Sequence, residues 1–80
     1  MPRPEDRPVR AKNRLVRQIF ERAQQKRMSF EYLTEVTGIM HGQLSGYRTG
    51  KNVPSADRLV KLASAVGYVI VLVDPTEDRT

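Results

Sequence analysis

Residues 29–55 read SFEYLTEVTGIMHGQLSGYRTGKNVPS, and this stretch decides the fold. Its apolar side chains recur at helical spacing on both sides of Gly38, which predicts two short helices joined by a tight turn. Ser29 suits the N-cap of the first helix because its hydroxyl can accept a backbone N–H, and Gly38 suits a left-handed C-cap. The second helix of the pair is predicted from about His41 to Arg48, and a glycine two positions further on ends it.

Two more helices are predicted outside this pair. The first begins at about Val9, ends near Gln25 and carries apolar residues on one face (Leu15, Val16, Ile19, Phe20 and Ala23). Ser55 predicts an N-cap for the last helix, which Gly67 terminates. The predicted fold class is mainly α, a compact domain of four to five helices with one C-terminal β-strand. The chain divides into a flexible, basic and proline-rich arm (1–8), a helical domain (9–67), a strand (68–74) and a flexible tail (75–80).

The C-terminal strand is apolar on both faces. Alternate members of its β-prone run point to opposite sides, and the run consists of Tyr68, Val69, Ile70, Val71, Leu72 and Val73. No second convincing strand exists in the sequence, so a lone strand would leave its backbone groups and two apolar faces without a partner. The economical arrangement is an antiparallel pair with the same strand of a second copy, which predicts a homodimer. The alternative is an intrachain extension packed over the last helix.

Size and composition exclude several classes of protein. Eighty residues make one small domain without space for a large catalytic cleft, and the sequence offers no nucleophile and base constellation. We therefore expect no enzymatic activity and no cofactor. Because the chain has no cysteine and a single histidine, His41, we also expect no metal site. No apolar run approaches the roughly 20 residues of a membrane-spanning helix, so we expect a cytoplasmic protein without a membrane partner.

Positive charge is concentrated in two blocks of the chain. Fourteen Lys and Arg residues stand against nine Asp and Glu residues, which gives a formal net charge of +5. Residues 7–27 hold eight basic residues against Glu21 alone, and residues 40–61 hold four against Asp57 alone. A single block of this kind is often a solvated helix face, but two blocks favour a polyanionic partner.

The stretch from Ser29 to about Gly67 resembles, without gaps, the helix-turn-helix of the phage-repressor or Xre family. The resemblance rests on a small residue inside the first helix of the pair (Thr34), a turn glycine four residues later (Gly38), and the apolar residues Leu33, Ile39, Leu44 and Tyr47. It implies a compact repressor-like domain whose second helix projects into a DNA major groove. A helical domain followed by a dimerising strand is also similar to small antitoxin repressors.

The resemblance, carried over position by position, implies which residues contact DNA. Its base-facing positions fall on His41, Gly42, Ser45 and Gly46, with Gln43 alongside. Since glycine has no side chain, the predicted base-reading residues are His41, Gln43 and Ser45. Tyr47 is expected in the core. The predicted contacts to the DNA backbone are Ser29, Gly42, Gly46, Arg48, Thr49, Lys51, Asn52, Arg10 and Arg14.

The sequence also departs from the family pattern. Phe30 stands where the family usually has a polar residue, Met40 where it has a capping serine, and Thr37 where leucine is commoner. Glycines recur at every fourth position, at Gly38, Gly42, Gly46 and Gly50. They predict close backbone approach to DNA or to a neighbouring helix; the alternative is a segment that stays loose until it binds.

Together these features predict a sequence-specific, double-stranded DNA-binding transcriptional regulator that acts as a homodimer on an inverted-repeat operator. The alternative is an antitoxin that binds and neutralises a toxin protein and autoregulates its operon. A toxin gene beside the gene for this chain would favour the alternative.

Overall fold

Four helices make up the structure, a computed structural model that describes residues 8–71. Both α1 and α2 contact α3 and α4, so the four helices share one core. The prediction of a compact, mainly helical fold is confirmed for these residues. In chain order the helices are α1 (Arg14–Gln25), α2 (Phe30–Thr37), α3 (His41–Thr49) and α4 (Ala56–Ala65). The buried apolar residues are Ala11, Val16, Ile19, Phe20, Ala23, Phe30, Leu33, Ile39, Leu44, Tyr47, Leu62, Ala63 and Val66.

Helix α1 begins at Arg14, so the predicted start near Val9 is wrong. The side chain of Asn13 accepts hydrogen bonds from the backbone N–H groups of Leu15 at 2.9 Å and Val16 at 3.2 Å. Asparagine satisfies the first backbone donors of a helix well, which makes it a strong N-cap. The helix ends at Gln25, as predicted.

The residues before this cap form an N-terminal strap, residues 8–11, that runs along the end of α3. The backbone N–H of Arg10 donates to the carbonyl oxygen of Arg48 at 2.8 Å. In return, Nη1 of Arg48 donates to the carbonyl oxygen of Pro8 at 3.0 Å. Ala11 is buried in the core with 2% of its surface exposed. Pro8 is thus anchored to the domain, whereas the rest of the predicted arm, residues 1–7, lies outside the described residues.

Helix α2 is capped at both of its ends, and Thr37 stabilises the turn that leads into α3. Ser29 caps α2 by accepting from the backbone N–H of Tyr32 at 3.0 Å, and Gly38 ends it in the left-handed conformation at φ 77°. The hydroxyl of Thr37 donates to the carbonyl oxygen of Leu33 and accepts from the backbone N–H of Ile39. Both predicted caps are confirmed, and Thr37 adds a side-chain link across the turn.

Helix α4 begins after the predicted cap and ends close to the predicted glycine. Ser55 accepts from the backbone N–H of Arg58 at 3.3 Å. The helix stops at Ala65, and Val66 is its C-cap, one residue before Gly67. Its buried residues face α2 and α1, which completes the core.

The C-terminal segment, residues 68–71, packs against the domain along one side. Ile70 lies partly buried against the core, whereas Val69 is 84% and Val71 69% exposed. Arg22 holds the start of the segment, because its guanidinium lies 4.5 Å from the ring centre of Tyr68. Residues 68–71 form no strand within the described part of the chain. The rest of the predicted strand, residues 72–74, which include Leu72 and Val73, lies outside the described residues.

Candidate nucleic-acid interface

The outward side of α3 brings together several of the predicted site residues. An α-helix turns about 100° per residue, so residues one, four and eight positions beyond His41 stay within about 100° of it. These residues form the outward stripe, which consists of His41, Gly42, Ser45 and Thr49. Three of them are exposed and Ser45 is partly exposed. Tyr47 lies opposite the middle of the stripe and is buried, as expected. Leu44, about 60° from Tyr47 around the helix axis, is also buried.

The ring of His41 is held by a chain of edge-to-face aromatic contacts that leads into the core. Its ring meets the ring of Phe30 edge-on, with the centroids 6.0 Å apart. Phe30 in turn meets Phe20 of α1 edge-on at 6.4 Å. Phe30, one of the three residues that depart from the pattern of the family that the sequence resembles, is therefore a core residue that connects three helices. Edge-to-face aromatic contacts fix ring orientation, so His41 is held at the first position of α3.

Gln43 does not lie on the outward stripe. It stands two residues from both His41 and Ser45, which places it about 160° from each around the helix axis. Its side chain is partly buried. The three predicted base-reading residues therefore do not share one face of α3, and the stripe contains only His41 and Ser45 among them.

Arg48 is buried, with 5% of its surface exposed, and this position does not fit the predicted contact with a DNA phosphate. Its side chain and its backbone carbonyl both bond the N-terminal strap. Arginine suits such a position because its planar guanidinium offers several donors in a fixed geometry. In this structure Arg48 therefore connects α3 to the strap.

The four evenly spaced glycines have different structural causes. Gly38 and Gly50 are C-caps with φ values of 77° and 85°, a region that side-chain-bearing residues rarely adopt. Gly46 is buried, and a Cβ there would lie 2.6 Å from Nδ2 of Asn52. Gly46 thus faces the loop after α3, which does not fit its predicted contact with the DNA backbone. Gly42 has no atom within 4 Å of the position of a Cβ, as is also true of Gly38, but unlike Gly38 it has no positive φ and lies on the outward stripe.

The remaining predicted backbone contacts lie around the stripe or on other helices. Lys51 and Asn52 are exposed directly after α3, and the backbone N–H of Asn52 donates to the carbonyl oxygen of Gly46 at 3.1 Å. Arg10 and Thr49 are exposed and share an open recess of about 390 Å³ with Pro8 and Arg48. Arg14 is exposed at the first position of α1, and Ser29 caps α2.

Within residues 8–71, the side chains of Arg17, Arg22, Arg48 and Arg58 donate hydrogen bonds to other groups of the chain. Nε of Arg17 donates to the carbonyl oxygen of Ala11 at 3.1 Å, and Nε of Arg22 donates to that of Val66 at 2.8 Å. Arg48 does the same for Pro8, and Nη1 of Arg58 donates to the hydroxyl of Tyr47 at 2.8 Å. Part of the positive charge therefore supports the fold. The exposed basic residues of the described part, apart from Arg17, are Arg10, Lys12, Arg14, Lys26, Arg27, Lys51 and Lys61.

The contact between Arg58 and Tyr47 is a part of the site that sequence reasoning missed. It connects the first turn of α4 to the buried side of α3 across 11 positions. No pattern in the sequence pairs these two residues. Asn13 is different, because an asparagine directly before an apolar periodic run is a recognisable N-cap signal.

Within residues 8–71, no group of three or more histidine, cysteine or acidic residues is placed to hold a metal ion. No helix among these residues is long and apolar enough to cross a membrane.

No protein-family model, curated protein or solved structure matches the chain.

Proposed function

We propose that the chain is a cytoplasmic, sequence-specific regulator that binds double-stranded DNA through α3. The observation that carries the proposal is the outward stripe, in which His41 and Ser45 present hydrogen-bonding side chains one helical turn apart. Leu44 and Tyr47 anchor the buried side of the helix in the core. A short helix fixed in this way can enter a major groove with its polar side towards the base edges.

Charge and helix geometry around the stripe support the same proposal. Arg10 and Lys51 are exposed near the C-terminal end of α3 and can neutralise phosphates. At the other end, the N-cap residue Met40 makes no side-chain hydrogen bond to the first backbone N–H groups of α3. Backbone N–H groups at a helix start bind phosphate well, so both ends of α3 suit a DNA backbone.

Selection of bound duplexes from a random pool tests this function. We expect His41→Ala and Ser45→Ala each to relax the preference at one base pair of a half-site, at a cost of about 1–3 kcal/mol in binding free energy. Gln43→Ala is the matched control, because it alters the same helix on a different side and should select the wild-type consensus. Lys51→Ala should lower the affinity for all sequences alike.

The salt dependence of binding provides an independent measurement. Each phosphate contact releases counterions, so the affinity should fall by about one power of salt concentration for each contact. Absence of binding to any duplex at low salt, or binding that salt does not weaken, would contradict the proposal. So would an unchanged consensus with unchanged stringency in both the His41 and Ser45 variants.

We propose that the regulator is a homodimer on an inverted-repeat operator. The exposed valines of the C-terminal segment support this step, because an exposed apolar β-prone segment is stabilised by pairing with another strand. Two half-sites about one helical turn apart, or a multiple of it, are then expected. Ile70→Pro removes a backbone donor in mid-segment and should yield a monomer in sedimentation experiments. A wild-type monomer at micromolar concentration would contradict this part of the proposal.

A protein-neutralising antitoxin is the second candidate. It is favoured by an open recess that Val36 of α2 and Val60 of α4 line, and both side chains are about half exposed. Exposed apolar side chains that line one recess suit a protein partner. Val60→Glu should abolish capture of a toxin encoded beside this chain and leave duplex binding unchanged. Failure to capture such a toxin with the wild-type chain would exclude this candidate.

A further inference from the structure

An uncharged furrow lies between α1 and the C-terminal segment. Leu15 and Gln18 of α1 form one wall, Tyr68, Val69 and Ile70 form the other, and Ile19 and Ala63 also line the furrow. None of these residues carries a charge. The side chain of Leu15 is 45% exposed, although it is a large apolar residue. The neutral lining and the exposed leucine leave an apolar channel open along the β-prone C-terminal segment.

We propose that this furrow is the seat of the C-terminal segment of a second copy, so that Leu15 and Gln18 of α1 belong to the dimer interface. This inference rests on the dimer in the proposed function and deepens it, since it assigns the surface that receives the partner. The partner segment lies antiparallel beside residues 68–71 and fills the furrow with an apolar side chain. In a two-fold dimer each copy gives a segment and receives one, so both furrows are filled.

The size of the furrow fits this occupant. Its cavity volume is about 110 Å³. An apolar protein cavity of about 150 Å³ holds one benzene molecule, so the smaller furrow suits one branched aliphatic side chain such as valine. The exposed face of the segment offers side chains of this class, and the whole run from Tyr68 to Val73 is apolar.

Charge also favours a second copy at this surface. With a formal net charge of +5, two identical chains repel each other over much of their surface. The furrow avoids this repulsion because its lining residues are neutral. Arg22 lies beside the furrow, and its guanidinium group contacts the ring of Tyr68 and the carbonyl oxygen of Val66. A second copy therefore meets no opposing charge from the furrow lining.

Leu15→Glu is the decisive variant. It places a carboxylate in the furrow of both copies, and burying an unpaired charge opposes association. The second helical position of α1 favours an acidic residue through the helix dipole, so the fold is retained, which circular dichroism checks. We expect the dimer dissociation constant in sedimentation equilibrium to rise about tenfold or more, since the change occurs twice in the dimer. Gln18→Glu, on the same wall of the furrow, should also raise the dimer dissociation constant. It tests the proposal independently if the Leu15→Glu protein does not fold.

Val60→Glu is the matched control, because it places the same side chain at a half-exposed apolar position of another helix. We expect it to remain a wild-type dimer. The proposal is overturned if Leu15→Glu and Gln18→Glu both leave the dimer dissociation constant unchanged. It is also overturned if Val60→Glu dissociates the dimer, whatever the effect of the two α1 variants. A wild-type monomer would also overturn it.

Duplex binding to a single half-site separates this inference from the proposed function. The Leu15→Glu monomer retains α3 and its outward stripe, so it should bind an isolated half-site with near wild-type affinity. If the wild-type protein does not bind the half-site, the proposed DNA-binding function is contradicted. The sedimentation result on the dimer interface is then unaffected. If the wild type binds the half-site and Leu15→Glu leaves the dimer unaffected, only the assignment of the furrow to the dimer interface is overturned.

Discussion

Thr34 and Thr37 differ in whether the side-chain hydroxyl has a hydrogen-bond partner. They lie on the same short helix, and both have a buried hydroxyl oxygen. The hydroxyl of Thr37 bonds Leu33 and Ile39 across the turn, whereas that of Thr34 has no hydrogen-bond partner in the described chain. A satisfied buried hydroxyl stabilises a fold, and an unsatisfied one costs the free energy of its desolvation.

The two threonines should therefore respond in opposite ways to the same substitution. Thr37→Val removes the hydroxyl that the buried N–H of Ile39 needs, so we expect the free energy of unfolding to fall by about 1–3 kcal/mol. Thr34→Val removes a hydroxyl that bonds nothing, and we expect the free energy of unfolding to rise by about 1 kcal/mol. Urea unfolding followed by circular dichroism measures both. Equal effects of the two variants would contradict this interpretation.

Single residues also mark the limit of prediction from sequence. Ser29, Ser55 and Gly38 act through backbone groups close to them in the chain, so local pattern was sufficient to predict their roles. Arg48 acts on Pro8, 40 positions away, and no local pattern distinguishes such a buried arginine from one on a DNA-facing surface. From the sequence, the charge of Arg48 favoured a contact with a DNA phosphate. In the structure Arg48 is buried and bonds the strap instead.

Helix α3 carries the candidate site, although its sequence has a weak intrinsic preference for the helical conformation. Glycine costs a helix up to about 1 kcal/mol relative to alanine, and α3 contains two glycines within its nine residues. The helix could be predicted from Leu44 and Tyr47, and helical spacing alone places Gln43 on a different side from His41 and Ser45. Spacing did not show which of these sides faces outward. Packing against α1, α2 and the loop after α3 settles which side is outward.

Gly42→Ala separates helix stability from DNA binding. No atom lies within 4 Å of the new Cβ, so nothing has to move and α3 gains helix propensity. We expect the free energy of unfolding to rise by about 0.5 kcal/mol. The same Cβ stands on the outward stripe, where a duplex would pack, so we expect a lower duplex affinity despite the higher stability.

Thermal unfolding and duplex titration of the Gly42→Ala protein test both halves of this prediction. Gly46→Ala is the companion variant, since its Cβ meets the side chain of Asn52 instead of open space. A Gly42→Ala protein with higher stability and unchanged affinity would contradict close approach of DNA at this position. The glycine would then be a feature of a loose helix, the alternative that the sequence left open.

The chain directly before α1 is part of the folded domain. The strap and the N-cap together contribute a buried alanine, a cap and reciprocal hydrogen bonds to α3. A cap is worth about 1 kcal/mol and each hydrogen bond about 1 kcal/mol. For a domain of this size those contributions are a large share of the total stability.

Two truncations follow from this placement. Removal of residues 1–13 deletes the strap and Asn13, so we expect a loss of about 3 kcal/mol or more in the free energy of unfolding and a largely unfolded chain. Removal of residues 1–7 leaves both in place and deletes two basic and two acidic side chains, so the formal side-chain charge does not change. We expect that shorter truncation to keep the wild-type melting temperature and the wild-type salt dependence of duplex binding, because the cations that face phosphates then belong to the folded domain. A stable 14–80 chain would show that the strap is dispensable, and a weaker salt dependence after removal of residues 1–7 would assign phosphate contacts to the arm.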